Sequence, residues 1–414
     1  MPKNNSYTIL KIEKVNAFLL FIIIFQSIFE KFLLSNINSS IFKYYNEFIV
    51  LLITGLFIVT IFKFYKVKKL ILYAITILFY SFFQILLRKI PIFHITQSLL
   101  YIECIVFYTY FYSQNYNSKV DTLIYLSKYY YYLFYLVLVA ALFELINPNI
   151  INNFLGTNHF QRGIGGFYLT SIFGTSTGLS QFCIIALVIL MSTYAIKGAF
   201  PYPKWILYTL ILLSFLSFSR KEFALTIVYL LSIYISTRNK THRLKYYIFA
   251  SFAGLFIISL YLILFFRKAN EVALSDNYVR FQLIEYSIQI IKDYFPFGTG
   301  PGTFGSQLSL QYPIIYEKYG VGPNILGYNG HRGPIYDAFL FTFTAEMGIG
   351  IILYLILLVS IWRKKPLINN HVLKTTKRFI IIAIFIIGLF APVIMNPFGL
   401  ISFSILGLIS KNGN

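Results

Sequence analysis

The chain has 414 residues, of which 58% are hydrophobic and 12% charged, and its mean hydropathy is +0.71. Soluble domains are about 25% charged, so this composition excludes an ordinary soluble enzyme and indicates an integral membrane protein. The formal net charge of +21 fits Lys and Arg residues that flank membrane spans on the cytoplasmic side. The sequence has no soluble domain with a basic stripe, the pattern that would predict nucleic-acid binding.

The sequence predicts an all-α polytopic membrane bundle, a single membrane domain over residues 1–414. A helical span needs about 20 mostly apolar residues, and about twelve segments qualify. The first is interpreted as a retained span, because it is longer than a signal-peptide core and lacks a small-residue cleavage site. Only helices or closed barrels satisfy their backbone in lipid. The predicted spans are 17–34, 47–64, 70–87, 94–112, 129–146, 172–193, 205–219, 223–236, 246–266, 338–362, 379–395 and 397–410.

The basic segments predict the orientation. KVKK at 66–69, TRNKTHRLK at 237–245 and RKKPLINNHVLKTTKR at 363–378 fall on the same side as the N-terminus. Of the 35 Lys and Arg residues, about 22 fall on that side, so both termini are predicted to be cytoplasmic. Two substantial loops are then outside, residues 147–171 and residues 267–337.

Two outer arginines precede the large loop. Arg162 lies in HFQRGIGGFY, and Arg220 lies in LSFSRKEF at the turn between the spans 205–219 and 223–236. Each has a plain alternative: Arg162 as a solvated loop charge, Arg220 as a local partner of Glu222. Planar guanidinium groups also suit two-point recognition of phosphate.

Residues 277–295 have helical period, and Pro296 is predicted to end that helix. Arg280 lies four residues before Ile284 and is therefore predicted on the apolar face, where a charge needs a wet cavity or an anionic partner. The alternative is an interfacial arginine that reaches lipid headgroups. The predicted apolar face is Ile284, Ile288, Ile291 and Phe295, and the polar face is Gln282, Glu285, Gln289, Lys292 and Asp293.

The stretch GTGPGTFG, residues 298–305, contains the spacing G-x-G-x-x-G. It follows a helix rather than a strand, which is the wrong context for a dinucleotide fold. The glycines Gly298, Gly300 and Gly302 predict a tight loop whose backbone N–H groups could approach a phosphate. The alternative is a plain turn.

The remaining candidates are acids and one histidine near the last outer loop. His331 and Asp337 precede the span segment that carries Glu346. Because an imidazole can accept a proton near neutral pH, His331 is a candidate base, and its alternative is a solvated loop histidine. Glu346 is a candidate for substrate binding; its alternative roles are to hold a helix kink or to pair with an arginine. No clustered acid pair predicts a metal. Cys104 and Cys183 lie in apolar segments, which argues against a disulfide or zinc site.

These residues occur in a recognisable order. An outer Arg-Gly loop is followed by Ser-Arg at a helix-pair turn, then a large outer loop with an arginine and P-x-G-x-G-x-G-x-F, then a span with A-E-x-G-I-G. Over roughly residues 147–360 the chain resembles the O-antigen polymerase and O-antigen ligase superfamily of bacterial membrane glycosyltransferases. In many relatives a histidine lies about nine residues before the glutamate, whereas this chain has Asp337 there.

The resemblance implies a polymerase of undecaprenyl-diphosphate-linked repeats for a surface polysaccharide (O-antigen of lipopolysaccharide, capsule or exopolysaccharide). It would work on the outer face of the bacterial cytoplasmic (inner) membrane, without a metal or other cofactor. Its partners would be the lipid-linked donor and acceptor, membrane lipid, and the chain-length regulator and flippase of the same pathway. Arg162, Arg220 and Arg280 match the family's loop arginines and would act on the diphosphate, with Asp337 or His331 as the base. Gly298, Gly300 and Gly302 match the glycine turn.

Two other functions remain open at this point. A ligase would join finished polymer to the lipid A core, and the missing histidine argues mildly against it. A flippase for the lipid-linked repeat also has about twelve spans, but its charges lie at mid-membrane. Here the candidate arginines cluster at the outer ends of the predicted spans.

Overall fold

The computed structural model describes residues 12–36, 51, 55, 58, 67–148, 168–237, 279–306, 308–310, 312–321 and 338–412. Within these ranges the chain is helical, and the extended contacts amount to one isolated bridge between Pro366 and Ser410. In chain order the α-helices of the described part are α1 (Ile12–Asn36), α2 (Lys68–Arg88), α3 (Ile95–Ser113), α4 (Tyr116–Ile146), α5 (Ser176–Lys197), α6 (Trp205–Leu216), α7 (Arg220–Ser236), α8 (Val279–Tyr294), α9 (Ile314–Lys318), α10 (Phe339–Met347), α11 (Ile351–Arg363), α12 (His371–Gly388) and α13 (Pro397–Ile409).

Five helical segments of the described residues are long and apolar enough to cross a membrane. They are Lys68–Arg88, Ile92–Ser113, Tyr116–Ile146, Ser176–Lys197 and Phe339–Arg363. The prediction of an all-α protein with membrane-spanning helices is confirmed in this form. The predicted spans 246–266 and, apart from residues 51, 55 and 58, 47–64 lie outside the described residues.

The predicted pair of spans at 205–236 is present as two helices joined by a tight turn at residues 217–219. α6 has 12 residues and α7 has 17. Both are shorter than the roughly 20 residues of a straight crossing, and so is α13, with 13 residues. Helix length alone therefore does not show whether α6, α7 and α13 cross the membrane.

The centre of the bundle is α5. In its most apolar window, 83% of the residues are buried inside the protein, and it packs against α4, α6, α7, α12 and α13. A helix that is apolar on all sides is expected to be surrounded by other helices. Cys183 lies on this helix, and both Cys183 and Cys104 are buried free thiols.

A close parallel contact joins α3 and α13. A Cβ atom at Gly407 would lie 2.7 Å from the Tyr108 carbonyl oxygen and 2.8 Å from the Tyr112 nitrogen. Only glycine therefore permits the two backbones to approach so closely, as small residues do where membrane helices cross.

One end of the bundle, which we call the basic end, collects the turn between α11 and α12 with the ends of several other helices. Asn370, before α12, donates to the carbonyl of Ala195 near the end of α5. Lys119, near the start of α4, donates to the Ser410 carbonyl just after α13 at 2.8 Å. Lys119 and Lys364 both lie over the Tyr112 ring, so the predicted basic segment 363–378 and Lys119 are neighbours.

The opposite end carries residues 298–305, which we call the glycine loop, and is named the glycine-loop end. A chain of contacts places the start of α7 at this same end. Lys221 lies over the Phe390 ring, 5.6 Å from its centroid. Gln97 contacts the Met395 sulfur, and the His94 Nδ1 atom lies 2.9 Å from the carbonyl oxygen of Pro301 in the glycine loop. Arg220 and the glycine loop therefore share one end of the bundle.

The helix predicted at 277–295 is present as α8, and the side that it buries does not coincide with the predicted apolar face. Leu283, Ser287 and Ile290 are fully buried, whereas Ile288 is 42% and Phe295 70% exposed. The buried face is rotated because α8 packs on α10 and joins a small separate core. That core is formed by Leu283, Ile290, Phe304, Ile315, Tyr316, Val321, Ala338 and Ala345.

Candidate functional site

The glycine loop packs against a break in the membrane segment Phe339–Arg363. α10 ends at Met347, a short 3₁₀ turn follows at Gly348–Gly350, and α11 then continues. Thr299 and Gly300 donate their backbone N–H groups to the carbonyls of Ala345 and Glu346, each at 3.0 Å. Two of the carbonyls that a helix end leaves unpaired thereby find donors within the protein.

The turn after α10 also donates a backbone hydrogen bond to the residue pair that precedes the glycine loop. Ile349 donates to the Pro296 carbonyl at 2.9 Å. A Cβ atom at Gly348 would lie 2.2 Å from that same carbonyl oxygen, and one at Gly298 would lie 2.4 Å from the Glu346 carbonyl oxygen. Both glycines have positive φ, +54° and +75°. Backbone meets backbone here, so these two positions require glycine.

The buried side chain of Glu346 holds the glycine loop by accepting hydrogen bonds. Its side chain is 1% exposed. It accepts a hydrogen bond from the Phe304 backbone N–H at 2.7 Å and another from the Tyr101 hydroxyl, and the Gly302 N–H also points to it. Buried carboxylates need such donors. The contacts thus support the alternative in which Glu346 holds the helix break, while its substrate-binding role stays a prediction.

Replacing Glu346 by glutamine is expected to keep the fold, because an amide oxygen can still accept from Phe304 and the Tyr101 hydroxyl can accept from the amide. Glu346→Ala would orphan both donors and is expected to destabilise the protein by about 3 kcal/mol or more. Thermal unfolding of the two purified variants in detergent measures the difference. Equal damage by both substitutions would show that the negative charge itself is required.

The loop's N–H groups are largely used inside the protein. Gly298, Thr299, Gly300 and Gly305 each donate to a protein acceptor. Thr303 closes the loop with hydroxyl hydrogen bonds to Gly300 and Thr299. Gly298, Gly300 and Gly302 are buried. Phosphate binding by these glycines stays a prediction, and in this arrangement the loop acts as a rigid support.

One face of α2 braces the loop from the other side. Tyr80, Gln84 and Arg88 are spaced four residues apart and so lie on one face. Tyr80 and Gln84 donate to the carbonyls of Met347 and Glu346, both at 2.9 Å. Arg88 is half-buried.

Arg88 joins the glycine loop to the end of α8. Its Nε donates to the Gly298 carbonyl at 3.0 Å, its Nη2 donates to the Tyr294 carbonyl at 3.2 Å, and its guanidinium lies 4.8 Å from the Tyr294 ring centroid. A cation at the C-terminus of a helix also complements the helix dipole. Arg88 is thus an arginine at the glycine-loop end that was not among the candidates predicted from the sequence.

His94 lies beneath the loop. It is fully buried, and its ring lies 5.3 Å from the Tyr312 ring. Nδ1 contacts the Pro301 carbonyl, and Nε2 has no hydrogen-bond partner among the described residues. A Cβ at Gly302 would lie 2.7 Å from Nδ1, so a third glycine is explained by close packing. The signals for Arg88 and His94 were polar residues within or beside an apolar span.

Arg220 is exposed at the start of α7. Its neighbours are fixed by Glu222, which is fully buried, accepts from the Ser219 hydroxyl and lies 3.7 Å from the Lys221 ammonium group. The turn therefore has a defined shape, with an arginine on its surface.

The other predicted site residues are placed only in part. Arg162, His331 and Asp337 lie outside the described residues, as do most of 147–171 and parts of 267–337. Arg280 lies in α8, and its side chain is outside the described part. By helical spacing its position falls on the row of Leu283, Ser287 and Ile290.

Glu144 is another buried carboxylate, near the end of α4. It is fully buried and accepts from the backbone N–H of Thr170 at 3.0 Å, the Thr170 hydroxyl at 2.8 Å and the Ser171 N–H at 2.6 Å. This carboxylate therefore anchors the segment that leads into α5.

The chain was compared with known families and with curated proteins. No family model matches it, and no curated protein is significantly similar to it.

Proposed function

We propose that the chain is a polytopic membrane glycosyltransferase that polymerises undecaprenyl-diphosphate-linked repeats of a surface polysaccharide. It has about twelve spans, lies in the bacterial cytoplasmic membrane, and has both termini in the cytoplasm. The glycine-loop end faces outward. Support for this orientation comes from the basic end, where residues 363–378 lie close to Lys119 and Lys411, because cations accumulate on the cytoplasmic side.

A single observation carries the proposal. At one end of an apolar bundle, a rigid glycine loop is clamped to a broken span by Glu346, with Arg88 bound to the loop and Arg220 exposed at the same end. A lipid diphosphate would lie at this membrane boundary, and guanidinium groups suit its oxygens. In this proposal the glycine loop is a fixed support, and preorganised cations beside it stabilise the charge of the diphosphate.

In the proposed reaction a hydroxyl oxygen of the acceptor sugar attacks the anomeric carbon of the donor repeat. The bond from that carbon to the diphosphate oxygen breaks, the electron pair leaves with undecaprenyl diphosphate, and a glycosidic bond forms. Asp337 or His331 takes the hydroxyl proton. Arg162, Arg220 and Arg280 stabilise the charge that grows on the leaving diphosphate.

The test in cells is the surface polysaccharide of a deletion strain, separated on a gel. A polymerase predicts collapse of the ladder to core plus a single repeat, because export and ligation still operate. Re-expression of the wild-type chain should restore the ladder. Lys204→Ala, an exposed cation just before α6, serves as a control that also restores it.

Loss of every repeat, including the single one, would contradict the proposal. A stalled lipid-linked polymer on the outer face would then indicate a ligase. A stalled single repeat on the inner face would indicate a flippase.

A further inference from the structure

A cavity of about 630 Å³ lies at the basic end, between the end of α11, the start of α12 and the segment after α13. This volume is in the range of small-molecule sites. Seven of its lining residues are Lys or Arg, and none of the described lining residues is acidic. A surface of that composition attracts anions.

The walls of the cavity are built rather than incidental. The segment after α13 is tied to the turn after α11: Leu367 donates to the Ile409 carbonyl at 2.7 Å, and Lys411 donates through its backbone to the Lys365 carbonyl at 2.9 Å. Arg378 is held over the Trp362 ring, 5.4 Å from its centroid. The backbone thus fixes the cations near one another.

The surroundings of Lys377 give independent support for an anion site. It lines the cavity, yet it is 3% exposed, and its ammonium group donates to the Lys364 carbonyl. A buried ammonium group without an acidic partner is costly. The cations around it add repulsion, which an anion in the cavity would remove.

We propose that this basic cavity binds a phosphate-bearing anion with at least two negative charges, either a lipid headgroup at the membrane surface or a soluble diphosphate. Arg363 and Arg378 offer planar forks for phosphate oxygens, while Lys374 and Lys377 offer ammonium donors. Trp362 lies at the rim where the membrane segment ends, a position that suits the membrane interface. This site is separate from the proposed reaction at the opposite end.

Binding is tested on the purified full chain in a neutral detergent by calorimetric titration with inorganic pyrophosphate. We expect saturable binding of one equivalent. Arg378→Gln and Lys377→Met should each weaken it at least about ten-fold, since a charge-assisted hydrogen bond is lost. The controls Lys128→Ala and Lys204→Ala remove exposed cations that do not line the cavity and should leave it unchanged.

Lys377→Met also separates a ligand site from a purely structural lysine. Removing a buried, repelled charge should raise the melting temperature of the ligand-free protein while it weakens pyrophosphate binding. A structural lysine would instead lower the melting temperature.

The pH dependence gives a third readout. Lys377 precedes the apolar part of α12, and burial, with the charges of Lys364 and Arg378, lowers its pKa to about 8. Lys365, Lys374 and Lys411 also face the cavity. Below pH 8 Lys377 is charged, so the affinity advantage of wild type over Lys377→Met should be largest there and shrink as the pH rises to 9.

A second arm distinguishes the sources of phosphate. Nanodiscs of phosphatidylcholine with a minor fraction of cardiolipin replace the detergent. Cardiolipin-dependent stabilisation that both cavity variants abolish, without pyrophosphate binding, assigns the headgroup; pyrophosphate binding assigns the soluble ligand. Binding in neither arm, equal losses in the controls, or sulfate binding as tightly as pyrophosphate would overturn the proposal.

Discussion

Gly298→Ala is expected to unfold the glycine loop and to abolish polymer formation. The added Cβ would lie 2.4 Å from the Glu346 carbonyl oxygen, 2.7 Å from the Gly348 nitrogen and 2.8 Å from the Ala345 carbonyl oxygen. All three neighbours are backbone atoms, so no side chain can rotate away. We expect a loss of about 4 kcal/mol or more of folding free energy, measured by thermal unfolding in detergent.

Gly198→Ala is the matched control. Gly198 also has a positive φ, +74°, but a Cβ there meets nothing within 4 Å. Only the conformational cost of about 1 kcal/mol then applies, and polymer should form normally. If Gly298→Ala were no worse than Gly198→Ala, the loop would not be clamped as described.

Arg280→Ala is expected to reduce polymer formation by roughly a hundred-fold or more, because removing one preorganised charge-stabilising group costs that much in other enzymes. Its position lies on the buried row of α8, the helix that leads into the glycine loop. Lys292→Ala, an exposed cation on the same helix, is the control and should leave the polymer unchanged. The ladder on a gel of the complemented deletion strain measures both.

Arg280→Lys refines this prediction. A lysine keeps the charge but loses the two-point fork, so an intermediate yield is expected. Polymer of normal length and amount from Arg280→Ala would contradict the proposed role of this arginine.

The sequence predicted α8 and its end at Pro296 closely, but not the face that α8 buries. Period and a helix-breaking proline are local signals. The choice of face is not, because apolar residues such as Ile288 and Phe295 can lie on the outer surface of a membrane protein. Leu283 and Ile290 were selected instead by contact with a distant segment, α10.

The glycine loop shows the same limit. Its tightness was predictable from Gly298, Gly300 and Gly302, but its partners were not. The N–H groups of Thr299 and Gly300 find their acceptors on Ala345 and Glu346, and α2 and His94 contact the loop as well. Contacts between segments so far apart in the sequence produce no periodic pattern. The sequence alone therefore does not reveal that the loop's N–H groups have acceptors inside the protein.

The central claim is tested most directly by reconstitution. The purified chain is placed in liposomes with a radiolabelled, undecaprenyl-diphosphate-linked repeat from the same organism, and products are separated by size. The account predicts a ladder of lipid-linked oligomers with one undecaprenyl diphosphate released per bond. Arg280→Ala should reduce the ladder by roughly a hundred-fold or more, and Lys292→Ala should keep it. An unextended repeat in the presence of a correctly folded wild-type chain would contradict it.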